Sequence, residues 1–167
     1  EYIRSFVLGK MAWSYLNAVP NISGGLGLFD KEIVLKIGGY DKNSLGEDMD
    51  LVFRMIIYMQ ENNEPYCIRS VPRTLCWTEG PESLKILVRQ RIRWSRGLFQ
   101  ILKKNKHVLF NPKYGIMGLV IYPYNFFVEF LSPFIEFLGF LIMLYCYFYD
   151  PIMFLNMLYL VVVIVSF

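Results

Sequence analysis

Leu131-Ser-Pro-Phe-Ile-Glu-Phe-Leu-Gly-Phe-Leu-Ile-Met-Leu-Tyr-Cys-Tyr-Phe-Tyr149 carries a single charged side chain, Glu136. About 20 apolar residues in helical form cross the hydrocarbon core of a bilayer, so 131–149 reads as a transmembrane helix. On its C-terminal side, Asp150-Pro151 interrupts the run and 152–167 starts a second span that is cut short. On its N-terminal side, 115–127 is shorter and dotted with Tyr122, Pro123 and Asn125, which suits an interfacial or a re-entrant helix. From Tyr114 onward there is no Lys or Arg, and the only acids are Glu129, Glu136 and Asp150. The segment 112–167 is therefore expected to be a membrane region. If its helix runs on through Pro133, Glu129 and Glu136 share one face; if it starts near Pro133, Glu129 is interfacial. Acidic residues at membrane depth point to function by default.

The preceding 1–111 mixes charged and apolar residues as a globular domain does. Overall the chain is 55% hydrophobic and 17% aromatic, with a mean hydropathy of +0.37, more than a water-soluble domain of this size usually carries. Basic residues concentrate from Lys85 to Lys113, just before the apolar region, where the positive-inside rule assigns the flank to the cytoplasmic face. An integral protein of the plasma or inner membrane with a cytoplasmic globular part follows. The net charge of +3 is modest, and no nucleic-acid partner is expected. Cys67, Cys76 and Cys146 form no metal-type cluster; Cys67 and Cys76 could pair across a hairpin, but in a cytoplasmic domain buried free thiols are expected. The chain opens within a helical pattern and stops inside an apolar run, the pattern of a piece of a longer protein.

Within the globular part, Ile3, Phe6, Val7, Met11 and Trp13 recur at helical spacing over 2–16. The glycine-rich 21–29 reads as a strand that something approaches closely. Asp30 should cap a short helix ending at Gly38-Gly39. A second helix should run from near Ser44 to about Glu61. Two short strands are expected at 66–71 and 74–77, and Gly80-Pro81 should open an amphipathic, interfacial helix over 81–103. Strands alternating with capped helices predict a mixed α/β globular part followed by transmembrane α-helices.

Two constellations could carry chemistry. Gly46-Glu47-Asp48-Met49-Asp50 sets adjacent carboxylates at a helix N-terminus, where the dipole and free amides favour anions. An ionised Asp there can take a proton from an attacking hydroxyl. Ser44-x-x-Glu47 also fits a capping box, so Glu47 has a structural explanation while Asp48 faces the site. On the long helix, Gln90, Arg93 and Trp94 stand at i, i+3 and i+4 and share a face. Arg binds a pyrophosphate through its fork, an amide bonds sugar hydroxyls, and an indole stacks on a pyranose. The competing reading has Lys85, Arg89, Arg93 and Arg96 meeting lipid phosphates.

Gly46-Glu47-Asp48, then Gln90-x-x-Arg93-Trp94, then membrane helices together resemble the membrane-integrated processive glycosyltransferases of family 2, such as cellulose, hyaluronan, chitin and poly-N-acetylglucosamine synthases. The likeness extends through Gly24-Gly25-Leu-Gly-Leu-Phe29, Ile37-Gly-Gly-Tyr40 and Trp77-Thr-Glu-Gly-Pro-Glu-Ser83. It implies part of a GT-A-type domain, with Asp48 as general base and Glu47 beside it. Gln90 and Trp94 would lie at the acceptor sugar, Arg93 at the donor diphosphate, and Gly24 and Gly25 against substrate. It further implies a nucleotide-sugar donor, a saccharide or lipid-linked acceptor, and a divalent metal (Mg or Mn) whose ligands lie upstream of this sequence, with no metal ligand within it. The departure is Gly46, where processive synthases often have Thr, which leaves single transfer to a lipid-linked acceptor open. A transport subunit would explain the apolar region but leaves the carboxylate cluster without a purpose.

Overall fold

The structure is a computed structural model that describes residues 10–19, 26–71 and 79–166. It divides into two compact units, Glu1–Phe130 and Leu131–Phe167.

Among the described residues there are helices and turns but no strand, which corrects the expected α/β class and its GT-A-type sheet. Segment 66–71 has no regular secondary structure, and the end of a short helix takes the place of a neighbouring strand. Helix α1 (Lys10–Tyr15) is followed by Asn17, whose φ of 56° turns the chain back. The Asn17 amide donates to the Tyr66 carbonyl at 2.7 Å and accepts from the Ile68 N–H at 2.5 Å. Ser14 Oγ accepts from the Ser70 N–H at 3.0 Å. Side chains thus satisfy alternate backbone groups that a ladder would otherwise claim. The strand expected at 74–77, and most of the glycine-rich one, lie outside the described residues.

Helix α2 (Lys31–Lys36) begins as its sequence suggests, with Asp30 accepting from the amides of Glu32 and Ile33. It ends at Gly38 and Gly39, whose φ values of 83° and 72° suit residues without a Cβ. Helix α3 (Glu47–Glu61) starts three residues later than Ser44. The capping box is not formed: the N-cap is Gly46, and Ser44 Oγ is buried with no hydrogen-bond partner. Asp41 organises this turn instead, accepting from the Asn43 N–H through its side chain and from the Ser44 N–H through its carbonyl.

Helix α4 (Leu84–Lys104) starts after Ser83, which accepts from the Ile86 N–H at 3.4 Å. Pro81 lies before that cap and not in the first turn, because it is the Ser83 hydroxyl that accepts from the free amide. Short 3₁₀ turns at Lys106–Val108 and Pro112–Tyr114 lead into a helical run. That run is a π-helical turn (Met117–Ile121), a one-turn helix α5 (Tyr122–Tyr124) and a second π segment (Asn125–Phe130). Pro123 has no N–H to give to Leu119, and the Asn125 side chain donates to the Ile121 carbonyl at 2.8 Å.

The core gathers Val52, Phe53, Ile56 and Ile57 of α3, Ile101 and Leu102 of α4, and Met117, Ile121 and Tyr122 of the helical run. Phe53 is fully buried, and each such side chain stabilises the fold by about 1.5–3 kcal/mol relative to exposure. Tyr122 donates its hydroxyl to the Leu102 carbonyl, so burial leaves no polar atom stranded there.

In the second unit, α6 (Ser132–Tyr149) and α7 (Pro151–Ser166) flank Asp150. Asp150 Oδ1 accepts from the Met153 N–H at 3.0 Å and caps α7. The helical run Met117–Tyr149 contains a stretch long and apolar enough to cross a membrane, with none of its most apolar window buried. Helix α7 is apolar but shorter.

Candidate active site

The two motifs come together through a crossing of glycines. Gly97 lies one turn beyond Arg93 and Trp94 on α4 and is buried. A Cβ at Gly97 would meet the Gly46 nitrogen at 2.9 Å and the Gly46 Cα at 3.2 Å. Backbone therefore rests on backbone where the start of α3 crosses α4. Gln100, a turn further along, accepts from the Leu45 N–H at 3.2 Å and holds the same loop. Neither residue stood out in the sequence, although a glycine inside a long helix costs about 1 kcal/mol against alanine and so signals close packing.

Glu47 is exposed in the first turn of α3, and Asp48 is half-buried beside it. Asp48 Oδ1 accepts from the Met49 N–H at 2.8 Å, so a free amide of the helix start steadies the carboxylate. Lys10 of α1 also lies within electrostatic range of Asp48. Burial pulls the Lys10 ammonium below the ordinary lysine value, and the Asp48 charge partly restores it. Lys10 is a third residue that spacing alone did not single out, because it is distant in sequence.

On α4, Gln90 and Arg93 line one open groove of about 540 Å³ with Glu79, Gly80, Pro81, Glu82, Ile86 and Arg89. Pro81 is thus part of a groove wall. Trp94 does not line the groove; its ring is half-exposed, with the Arg91 guanidinium 5.0 Å from its centroid. That cation–π contact orients the indole and could have been read from the i, i+3 spacing. Gly24, Gly25 and Cys76 lie outside the described residues. Cys67 is a free thiol as expected but is exposed, while Cys146 is free and buried.

Among the described residues, no three His, Cys, Asp or Glu side chains converge as metal ligands would.

The model of glycosyl transferase family group 2 matches residues 4–167, and the chain belongs to this family of glycosyltransferases. A probable glycosyltransferase of Bacillus subtilis (strain 168), YdaM, is 31% identical over 115 residues, covering 64% of this chain and 25% of that protein. Poly-beta-1,6-N-acetyl-D-glucosamine synthases of Staphylococcus epidermidis and Staphylococcus aureus (strain COL) are each 30% identical over 105 residues, covering 63% of this chain and 24% of theirs. The chain spans about a quarter of the length of these curated relatives. No solved structure matches it.

Proposed function

We propose that the chain is the acceptor-side part of an inverting glycosyltransferase that moves a sugar from a nucleotide-sugar donor to a saccharide acceptor in polysaccharide synthesis. The observation that carries this reading is the crossing of Gly46 on Gly97, which fixes the helix start bearing Asp48 against the helix bearing Gln90, Arg93 and Trp94. A base and an anion-binding face held by rigid helices are what a displacement at an anomeric carbon needs.

In the proposed reaction the acceptor hydroxyl oxygen attacks the anomeric carbon. The bond from that carbon to the donor diphosphate oxygen breaks, and its electron pair leaves with the nucleoside diphosphate. The hydroxyl proton passes to Asp48. Arg93, with Arg89 in the same groove, balances charge gathering on the diphosphate. Glu79 and Glu82 line that groove too and suit the hydroxyls of the donor sugar. Gln90 and Trp94 hold the acceptor. Any divalent metal would be held by residues outside this sequence.

The apolar, uncovered surface of α6 supports an integral membrane protein with the globular part on the cytoplasmic side of a plasma or inner membrane. Testing uses the full-length enzyme. Asp48→Asn should lower the transfer rate by about two to four orders of magnitude while donor binding persists, because only proton acceptance is lost. Near-normal turnover would reject the assignment.

A second reading, single transfer to a lipid-linked acceptor, draws on Gly46. A Cβ there would meet Ile101 Cδ1 at 3.6 Å, an ordinary contact, so sterics do not demand the glycine and the missing hydroxyl is a chemical difference. Sizing the products separates the readings: one added sugar supports the second, a ladder of lengths the first.

A further inference from the structure

We propose that Asp50, Arg54 and Lys104 form a positioning unit that sets Asp48 against the substrate-facing side of α4. The inference rests on Asp48 being the general base.

Asp50 lies two residues beyond Asp48 on α3 and is only 1% exposed. A buried carboxylate is retained only when its charge is matched, and here two cations from different places match it. Arg54 Nε is 2.7 Å from Asp50 Oδ2, and Lys104 Nζ is 3.5 Å from Asp50 Oδ1. Arg54 spends its other nitrogens on the turn after α2, donating to the Ile37 carbonyl at 2.8 Å and the Gly39 carbonyl at 2.6 Å. Lys104 also bonds Asp41 Oδ2 at 3.0 Å. One network therefore ties the α2 turn, the first two turns of α3, and the last turn of α4.

Its geometric consequence follows from the glycine crossing. A single contact between two rods fixes their separation but leaves their angle free. Gly46 on Gly97 is one contact, Gln100 on Leu45 and the packing of Ile101 in the core shared with α3 follow it, and Asp50 with Lys104, seven residues beyond Gly97, is the polar tie farthest along α4. Contacts spread along the pair fix the angle as well, the Lys104 tie with the longest lever, and that angle decides how far Asp48 stands from the residues borne by α4. The network does not line the groove of Arg89, Gln90 and Arg93, so in this proposal its members act through Asp48 as positioning residues.

Lys104 is the residue to change, because its side chain is half-exposed and its loss leaves the core intact. In the full-length enzyme, Lys104→Met should lower kcat roughly ten- to a hundred-fold, the scale of an ångström-sized misplacement, with donor KM within about two-fold of wild type. Lys104→Arg, which keeps the cation, should restore most of the rate. The decisive measurement repeats Lys104→Met in an Asp48→Asn background, using radiolabelled donor to follow the residual rate. A residue acting through Asp48 should then cost little more, a non-additivity that a purely structural role does not produce. Wild-type kcat for Lys104→Met, or an equal loss in both backgrounds, overturns the positioning role while leaving Asp48 as base. Normal turnover by Asp48→Asn alone removes the general base, and this inference with it.

Discussion

At the scale of single residues, Gly97 carries the sharpest expectation. Its missing Cβ leaves room for the Gly46 backbone, and the atoms that a methyl would meet are main-chain atoms that cannot swing aside. Gly97→Ala should raise helix propensity by about 1 kcal/mol and still destabilise the protein, by roughly 1–3 kcal/mol net as an overpacked site does. Thermal unfolding of the purified full-length variant checks this, and an unchanged or raised melting temperature would mean that the crossing is loose. Asp41 offers a test in pH. The Asn43 amide and the Lys104 ammonium hold its carboxyl below its ordinary value of 3.8. A carboxyl depressed by folding stabilises the native state above its unfolded pKa, and that contribution disappears as pH falls through the folded value. Wild type should therefore melt higher than Asp41→Asn at about pH 6, and the gap should close on acidification below the ordinary carboxylate range. A gap that stays constant with pH would show that the ionised carboxyl contributes nothing.

At the scale of elements, α4 serves as a structural beam and, in the proposed function, as a substrate-facing surface. Its Gly97, Ile101 and Leu102 are buried against the core, while Arg93 and Trp94 stay exposed. Arg93→Lys keeps the charge but loses the planar fork, so donor KM should rise while kcat falls less. Trp94→Ala removes the indole that Arg91 orients, so transfer to acceptor should fail while donor binding persists. Titrating donor against both variants separates the roles, and equal donor affinity for wild type and Arg93→Ala ends the diphosphate assignment. Arg89 belongs in the same series, since it lines the groove with Arg93. Loss of donor affinity in Arg89→Ala is therefore expected, and it does not favour a lipid-phosphate role for the helix. Membrane fractionation tests that role directly: all of these variants should stay in the membrane fraction.

At the scale of the whole molecule, α6 carries a long apolar surface: Phe134, Leu138 and Phe148 are 64%, 58% and 68% exposed, which the proposed membrane location accounts for. Placed in a bilayer, that surface needs no cover. Leu138→Arg should oppose insertion by about 3 kcal/mol on the translocon scale. Its readout is the fraction of full-length protein that resists alkaline extraction from membranes, and full resistance in the variant would argue against α6 as a span.

The sequence by itself determined the helices and the family. Apolar runs, the Asp30 cap and the Gly38-Gly39 stop are local signals, and Gly46-Glu47-Asp48 with Gln90-x-x-Arg93-Trp94 named the chemistry without any coordinates. The class of the globular part was not legible, because a strand-like pattern such as 66–71 becomes a strand only if another strand pairs with it. Here Asn17 and Ser14, some fifty residues away, take that place. The cap of α3 failed for a similar reason. Ser44 and Glu47 have the right spacing, but Leu45 and Gly46 are held by Gln100 and Gly97 across the crossing, which moves the helix start past the serine. Only the tertiary structure decided that the carboxylate motif rests on the helix of the arginine motif. Contacts between residues fifty apart depend on which backbones can approach, and no local pattern records that.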